Sequence, residues 1–463
     1  MELCGRKVTV MGLGHFGGGA AAARWAARQG AVVTVTDLAG PARLADALDS
    51  LAGEAIATYH LAGHREEDFR SADVVVVNPA VKPGNRYLQT AVEAGATLTS
   101  EIELLLEACP AAVVAVTGSN GKSTTAAMTA AILEADGRRT WLGGNLGGSL
   151  LDDIEQIRPD DWAVLELSSF QLWHLAKGSG FRVQGSGNTA SEVRMPRIAV
   201  VTNCTRNHLD WHGTWEHYVA AKQRILSGQR EGDAAVLNTA DAEAARWGRL
   251  VRGRLVPLVP RDLLPPLSVP GEHNRVNAVC AATAALAAGC TPDAIRCGLE
   301  IYRPLPGRLE WIAVIDGRRF YNDTTATTPE STAAALEALA EPVWLLAGGS
   351  DKGADFGPLV EKIVTRARGA AFFGAVRRSL FDRVAAVAPS FPAAAMETLE
   401  EAFCWCWKAS KRGESIVLSP ASASRDQFEN FRHRGEAFKE TVASLAARRD
   451  LADPNDVARC REG

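Results

Sequence analysis

The sequence predicts an α/β protein of three domains, and three observations predict it. The chain has 463 residues, enough for about three domains of ordinary size, with 47% apolar and 22% charged residues. Short apolar runs alternate with helical stretches along its whole length, the pattern of strands joined by right-handed helical crossovers into parallel sheets. Two of the strand-to-helix turns are glycine-rich, one near residue 14 and one near residue 120.

Taken in order, 7–11 reads as a strand, Gly12-Leu-Gly-His-Phe-Gly17 as a turn, 18–29 as an Ala-rich helix and 31–36 as a strand ending at Asp37. A buried strand follows at 74–77 and runs into Asn78-Pro-Ala-Val-Lys-Pro-Gly84, and a linker-like boundary falls at 107–110. The second region opens on an apolar strand at 111–116 and continues through strands at 162–167, 198–202 and 234–237. Between them, 177–196 is rich in Gly, Ser and polar residues and reads as an exposed insertion. The third region begins at Tyr302-Arg-Pro-Leu-Pro-Gly-Arg308 and carries strands at 311–315, 343–347, 369–373 and 415–418, with a frayed C-terminal dozen residues. The predicted domains are therefore 1–108, 109–302 and 303–463.

Composition narrows the function classes. A net charge of −4 with no basic patch or tail argues against nucleic-acid binding. No stretch approaches 18 consecutive apolar residues and the N-terminus moves straight into a strand, so neither a membrane span nor a secretory signal is expected. Nine scattered cysteines without metal-like spacing fit reduced thiols in the cytoplasm, and Cys404-Trp-Cys406 is expected to be buried packing.

Gly12-x-Gly14-x-x-Gly17, followed by Asp37, is a dinucleotide-type fingerprint. Gly14 to Gly17 would face a pyrophosphate, and Asp37 would accept from a ribose or base. Alone it suggests an oxidoreductase. The second turn adds a different nucleotide site. In Val116-Thr-Gly-Ser-Asn-Gly-Lys-Ser-Thr124 a strand enters a tight turn and a helix starts at a Lys-Ser pair, so backbone N–H groups and the helix N-terminus meet phosphate oxygens. Lys122 can neutralise the β- and γ-phosphates and the Ser123 hydroxyl can ligate Mg2+; the common phosphate-loop pattern would place glycine where Val116 stands. Glu166 ends a strand beside this loop, where a metal-binding or water-positioning acid belongs. By default His208 would be a structural loop histidine and Lys222 a solvated helix lysine.

The phosphate loop, Gly144-Asn-Leu-Gly147, Leu165-Glu-Leu-Ser-Ser-Phe-Gln171, Asn207-His-Leu-Asp210 and Gly271-Glu-His-Asn-Arg-Val-Asn277 together resemble the Mur ligases. Leu305-Pro-Gly-Arg308, Asn322-Asp323, Gly348-Gly-Ser-Asp-Lys352 and Ser419-Pro-Ala-Ser-Ala-Ser-Arg-Asp-Gln-Phe428 continue the resemblance, in order, across nearly the whole chain. The Leu-Ser-Ser-Phe-Gln and Ser-Pro-x-x-Ala-Ser-x-Asp-Gln-Phe segments are most similar to the members that add glutamate to UDP-N-acetylmuramoyl-L-alanine.

The resemblance implies an N-terminal UDP-binding Rossmann-like domain, a central ATP-binding domain and a C-terminal Rossmann-like domain that receives glutamate. It implies ATP contacts at Gly118, Asn120, Gly121, Lys122, Ser123, Thr124, Asn274, Asn277, Arg308 and Asp323. Gly14, Gly17, Asp37, Asn145, Ser168, Gln171 and His208 would hold UDP-N-acetylmuramoyl-L-alanine, and Thr327, Lys352, Ser424 and Phe431 the glutamate. Two Mg2+ sites are implied, with Ser123 and Glu166 serving the first, and His208 with a carbamylated Lys222 serving the second. The reaction would pass through an acyl phosphate, in a cytoplasmic monomer of peptidoglycan precursor synthesis without nucleic-acid or membrane partners.

Two departures stand out. Thr325 occupies a position where relatives often carry a lysine, so glutamate recognition would lean on Lys352 or another cation, and L-glutamate remains an alternative to D-glutamate. The second is the insertion at 177–196. Folylpolyglutamate-type ligases lack the N-terminal nucleotide-type domain, and the Asp-Asn-Pro-Arg signature of the diamino-acid ligases is missing from the sequence.

Overall fold

A computed structural model describes residues 1–14, 17–175, 195–351 and 353–450. The chain forms two compact units, one of residues 1–266 and 276–302, the other of 267–275 and 303–463. Among the described residues there are three sheets, two in the first unit and one in the second.

The N-terminal sheet runs edge to edge as Ile56–His60, Val32–Thr36, Lys7–Met11, Val74–Val77 and Thr97–Thr99, all parallel. Its central strands are valine runs because parallel strands covered on both faces need apolar side chains in both directions; Val74–Val77 is buried at every position. The second sheet has the order Arg254–Leu255, Ala234–Leu237, Ile198–Val201, Ala112–Thr117, Trp162–Glu166, Thr140–Gly144, again parallel. Strand Ala112–Thr117 sits centrally with chain crossovers departing to both sides, which makes its carboxyl end the crevice where open α/β sheets bind ligands.

The sheet of the second unit runs Glu310–Ile315, Arg318–Asn322, Ser415–Ala421, Val343–Gly348, Ala367–Phe373, Ala393–Ala395. Its first pair is an antiparallel hairpin on an otherwise parallel sheet. The turn is Asp316-Gly317, both in the left-handed region at φ 48° and 70°, the geometry that an Asp-Gly pair supplies to a two-residue hairpin.

Three expectations change. Cys404 and Cys406 were both expected to be buried, but they lie on different sides of helix Leu399–Ala409, so Cys406 is buried and Cys404 is exposed. Residues 177–194 of the insertion lie outside the described residues, and Pro196 at its end is buried rather than exposed. The strand leading into the phosphate loop is shifted by one residue, to Ala112–Thr117.

Candidate active site

At the end of strand Ala112–Thr117 the chain turns through 118–121 and starts helix Lys122–Ala135. Gly121 caps that helix in the left-handed region at φ 79°, and a Cβ there would lie 2.2 Å from the Asn277 Oδ1. The turn is pinned by the neighbouring strand end. Asn120 N donates to Asn203 Oδ1 at 2.8 Å, Ser119 N to Asn203 O at 3.0 Å, and Thr202 Oγ1 to Asn120 O at 2.6 Å. This cradle is therefore built by protein contacts alone, ahead of a helix N-terminus whose partial positive charge suits phosphate. Lys122 folds back on it, Nζ donating to Ser119 O at 3.0 Å.

Glu166 closes strand Trp162–Glu166 and is buried. Ser123 Oγ donates to its Oε2, and Asn145 Nδ2 donates to its Oε1 at 3.0 Å. The structure thus brings together three of the sequence-predicted site residues from positions 123, 145 and 166. A carboxylate beside a hydroxyl is a hard-oxygen donor set of the kind Mg2+ takes.

Lys222 overturns its default reading. It lies in helix Trp215–Gln223 with a relative exposure of 2%, Nζ donating to Gly118 O at 2.7 Å and standing 4.9 Å from the centre of the Tyr218 ring. Burial, reinforced by the charge of Lys122, holds its pKa well below the usual 10.5, which favours the neutral amine.

Ser168 and Gln171 form a capping box at helix Ser169–Trp173. Ser168 Oγ accepts from Gln171 N at 3.2 Å, while Gln171 Oε1 accepts from Ser168 N at 2.9 Å. His208 caps the short helix Leu209–His212 at φ 53° and sets its ring edge-on to Phe170, 4.8 Å away. Sequence reasoning missed His212, which is buried beneath this segment. Its Nε2 bonds Ser169 Oγ at 3.0 Å and its Nδ1 meets His217 Nδ1 at 2.8 Å, so one ring donates and the other accepts. Burial, then the neighbouring His217, push its pKa down to about 3, so it stays neutral. Only the spacing in His208-Leu-Asp-Trp-His212 hinted at it, since one helical turn brings positions 208 and 212 to one side.

In the N-terminal sheet, Asp37 is already engaged with the glycine turn: Oδ2 accepts from Leu13 N at 2.9 Å and Oδ1 from Ala39 N at 2.8 Å. Gly14 and Gly17 are both left-handed, at φ 70° and 81°. The close approach of helix to strand, however, depends on Gly19, where a Cβ would lie 2.3 Å from Gly12 O. The loop after Val74–Val77 is fastened to residues 174 and 210–211, which follow strands of the second sheet. His174 Nε2 meets Val81 O at 3.0 Å, Trp211 Nε1 donates to Ala80 O at 3.1 Å and Lys82 Nζ donates to Asp210 O at 2.9 Å. Glu101, buried at the start of helix Glu101–Ala108, accepts from Ser149 Oγ, and burial raises its pKa to about 7.

In the second unit Asp323 is buried at the end of strand Arg318–Asn322. Its Oδ1 accepts from Leu309 N at 3.1 Å and its Oδ2 from Ser419 Oγ at 2.7 Å. Burial lifts its pKa to about 7, against those two hydrogen bonds and the charge of Arg308. Thr325 Oγ1 donates to Gly307 O at 2.8 Å, and Thr327 N donates to Thr325 O at 2.9 Å. Ser424 is buried, and Phe431 starts helix Phe431–Asp450, its carbonyl accepting from Thr324 Oγ1 at 2.8 Å. Asn274 is buried in this unit, donating to Pro270 O at 2.7 Å, whereas Asn277 belongs to the first unit. Lys352 lies outside the described residues.

Comparison with known proteins supplies the family. Residues 6–100 match the MurD-like N-terminal domain of Mur ligases, 116–259 the Mur ligase middle domain and 307–451 the Mur ligase glutamate ligase domain. A UDP-N-acetylmuramoylalanine--D-glutamate ligase of Roseiflexus sp. is 37% identical over 96% of this chain and 100% of its own length. One from Koribacter versatilis is 33% identical, over 96% and 99%. Among solved structures, UDP-N-acetylmuramate-alanine ligase MurC from Thermotoga maritima superposes with a TM-score of 0.61 at 17% identity, covering 95% of this chain and 100% of that one. MurF ligase from Thermotoga maritima in complex with ADP gives 0.58 at 15%, covering 90% and 96%; at such identities both show a shared fold.

Proposed function

The chain belongs to the Mur ligase family, and on that premise we propose that it joins D-glutamate to UDP-N-acetylmuramoyl-L-alanine at the expense of ATP, in the cytoplasmic synthesis of peptidoglycan precursor. Residues 1–108 would bind the UDP moiety, 109–302 the ATP and 303–463 the amino acid, within a monomer. The single observation that carries the site is Glu166 held between Ser123 and Asn145 beside a preformed phosphate cradle.

In this reading the backbone of 118–121 and Thr124 orient the triphosphate, and Lys122 swings from Ser119 O to its β- and γ-oxygens. Asn277 and Asn274 border the adenine, while Arg308 and Asp323 hold phosphate and ribose. Ser123 and Glu166 would hold one Mg2+, and His208 and Lys222 a second; when bound, the metal offsets charge on the phosphoryl group. Lys222 would serve as a carbamate. Its neutral amine adds CO2, forming an N–C bond and releasing a proton, so that an uncharged group becomes an anion suited to a metal. The fit rests on the low proton affinity of this amine and on its bond to the loop carbonyl Gly118 O.

Asn145, Ser168, Gln171 and His208 would present the alanine carboxylate, with Gly14, Gly17 and Asp37 at the UDP. The carboxylate attacks the γ-phosphorus, ADP leaves, and the amine of glutamate attacks the acyl phosphate to expel phosphate. Thr327, Lys352, Ser424 and Phe431 would hold that glutamate. The test is phosphate release from ATP with UDP-N-acetylmuramoyl-L-alanine and, in turn, D-glutamate, L-glutamate, L-alanine or diaminopimelate. Release should require both substrates and be fastest with D-glutamate. Turnover with one of the other amino acids, and with neither glutamate, would overturn the assignment.

A further inference from the structure

Three chain segments meet at the carboxyl edge of the second unit's sheet, just beyond the adjacent strands Arg318–Asn322, Ser415–Ala421 and Val343–Gly348. That edge of an open α/β sheet is where ligands bind. Ala421 N donates to Ala326 O at 2.9 Å and Ser350 N donates to Ala423 O at 2.8 Å, so the chain after strand Ser415–Ala421 is stitched to both neighbours. The second stitch requires a glycine beside it, because a Cβ on Gly349 would lie 2.0 Å from Ala423 O. Ser424 O then accepts from Phe428 N at 2.9 Å, closing a turn that contains Arg425.

Glutamate brings two carboxylates, and each gives up its water only for a cation or for several donors. Thr325 supplies neither, since it is uncharged and its Oγ1 is already spent on Gly307 O at 2.8 Å. Ser424 is only 4% exposed, yet its hydroxyl has no hydrogen-bond partner among the described residues, which leaves a donor for a ligand. Arg425 stands next to it. Among the described residues of 322–328, 348–351 and 421–428 it is the one cation, it is exposed, and it forms no hydrogen bond or ion pair with a described residue. Other charges nearby are engaged. Asp426 accepts from Ala375 N at 2.9 Å, Arg377 pairs with Glu397 at 2.6 Å, and the buried Arg434 donates to Thr324 Oγ1 and Ser422 O, each at 3.1 Å.

We infer that Arg425 is a specificity-determining residue of the amino-acid site. Its guanidinium pairs with the side-chain carboxylate of the incoming amino acid, with the Ser424 hydroxyl as a further donor, and so supplies the charge that Thr325 does not bring. A guanidinium suits the task because its fork meets both oxygens of a carboxylate. The inference rests on the functional reading above and deepens it, assigning the choice of an acidic acceptor to one exposed side chain.

The experiment is steady-state phosphate release by wild type, Arg425→Lys, Arg425→Ala and Arg425→Glu, with KM measured separately for glutamate, ATP and UDP-N-acetylmuramoyl-L-alanine. Glutamine serves as the acceptor of equal length without the charge, and thermal melting accompanies each variant. Arg425→Ala should raise the KM for glutamate about tenfold and lower the kcat/KM preference for glutamate over glutamine by a similar factor. The other two KM values should stay near wild type. Arg425→Glu should act more strongly and Arg425→Lys less, and added salt should raise the glutamate KM of wild type more than that of Arg425→Ala. Where the Ala variant does not fold, Arg425→Lys and Arg425→Glu carry the same comparison. An unchanged KM for glutamate in a folded Ala or Glu variant, or an equal loss with glutamine, would overturn the inference. Failure of wild type to use glutamate at all would instead overturn the functional reading.

Discussion

Each compact unit buries a long basic side chain at the carboxyl ends of parallel strands, Lys222 in the first and Arg434 in the second, and the two are built differently. Lys222 presents a single amino group to one good acceptor, Gly118 O, while Arg434 spreads a planar fork over three segments. Burial lowers the pKa of both, but from different heights. The lysine falls well below 10.5, whereas the arginine comes down only to about 9 and remains charged at neutral pH. A buried lysine can thus be discharged and chemically converted, whereas a buried arginine is a permanent charge and a structural fork. The first suits a residue that must change sign to serve a metal. The second suits one that holds three strand ends in place.

The largest expected effect tests the convertible half of this contrast. Lys222→Ala should lower kcat by roughly 10^3-fold or more, with partial rescue by a short carboxylic acid that replaces the lost carbamate oxygens. Lys222→Arg should be as inactive, because a guanidinium keeps its charge; near-wild-type turnover of either variant would refute the carbamate.

A second effect extends the contrast to a buried acid. Glu101 has its folded pKa raised from 4.5 to about 7, so the protonated carboxyl is the form the native state prefers. That contribution is complete below about pH 4.5 and is lost as pH rises through about 7, by up to about 3 kcal/mol. The melting temperature of wild type relative to Glu101→Gln should therefore fall between pH 5 and pH 8. A pH-independent difference would mean that Glu101 titrates normally.

The smallest effect concerns Thr325, which lies in the segment next to the Arg434 fork. Thr325→Lys adds a cation but removes the hydroxyl bond to Gly307 O. It should lower the KM for glutamate by about threefold, the scale of one partly screened charge. A raised KM would show that the Gly307 contact matters more than the charge.

Much of the molecule was readable because it depends on near neighbours in the chain. The strands at 74–77 and 234–237 appear where uninterrupted apolar runs place them, and the strand at 7–11 where Val8, Val10 and Met11 are spaced about Thr9. The hairpin at Asp316-Gly317 had a legible signature that a simple strand–helix alternation overlooks. Short strands such as Thr97–Thr99 and Ala393–Ala395 were not legible, since three residues carry no periodicity and owe their state to a neighbouring strand. In the candidate site, Ser123 and Glu166 were legible through their turn and strand-end positions. Asp37, Ser168 and Gln171 were legible as polar residues at turns, but their backbone-holding roles were not.

By itself the sequence determined the α/β class, the phosphate turn and the family, because glycine turns, capping residues and apolar runs act over a few residues. Only the tertiary structure decided which charges are buried. Lys222 reads as an ordinary helix lysine until Tyr218, Thr117 and Gly118 close around it, and Arg434 as an ordinary basic residue until Thr324, Gly348 and Ser422 converge on it. Desolvation depends on partners up to 110 positions away in the chain, as between Thr324 and Arg434, and no local pattern encodes that distance.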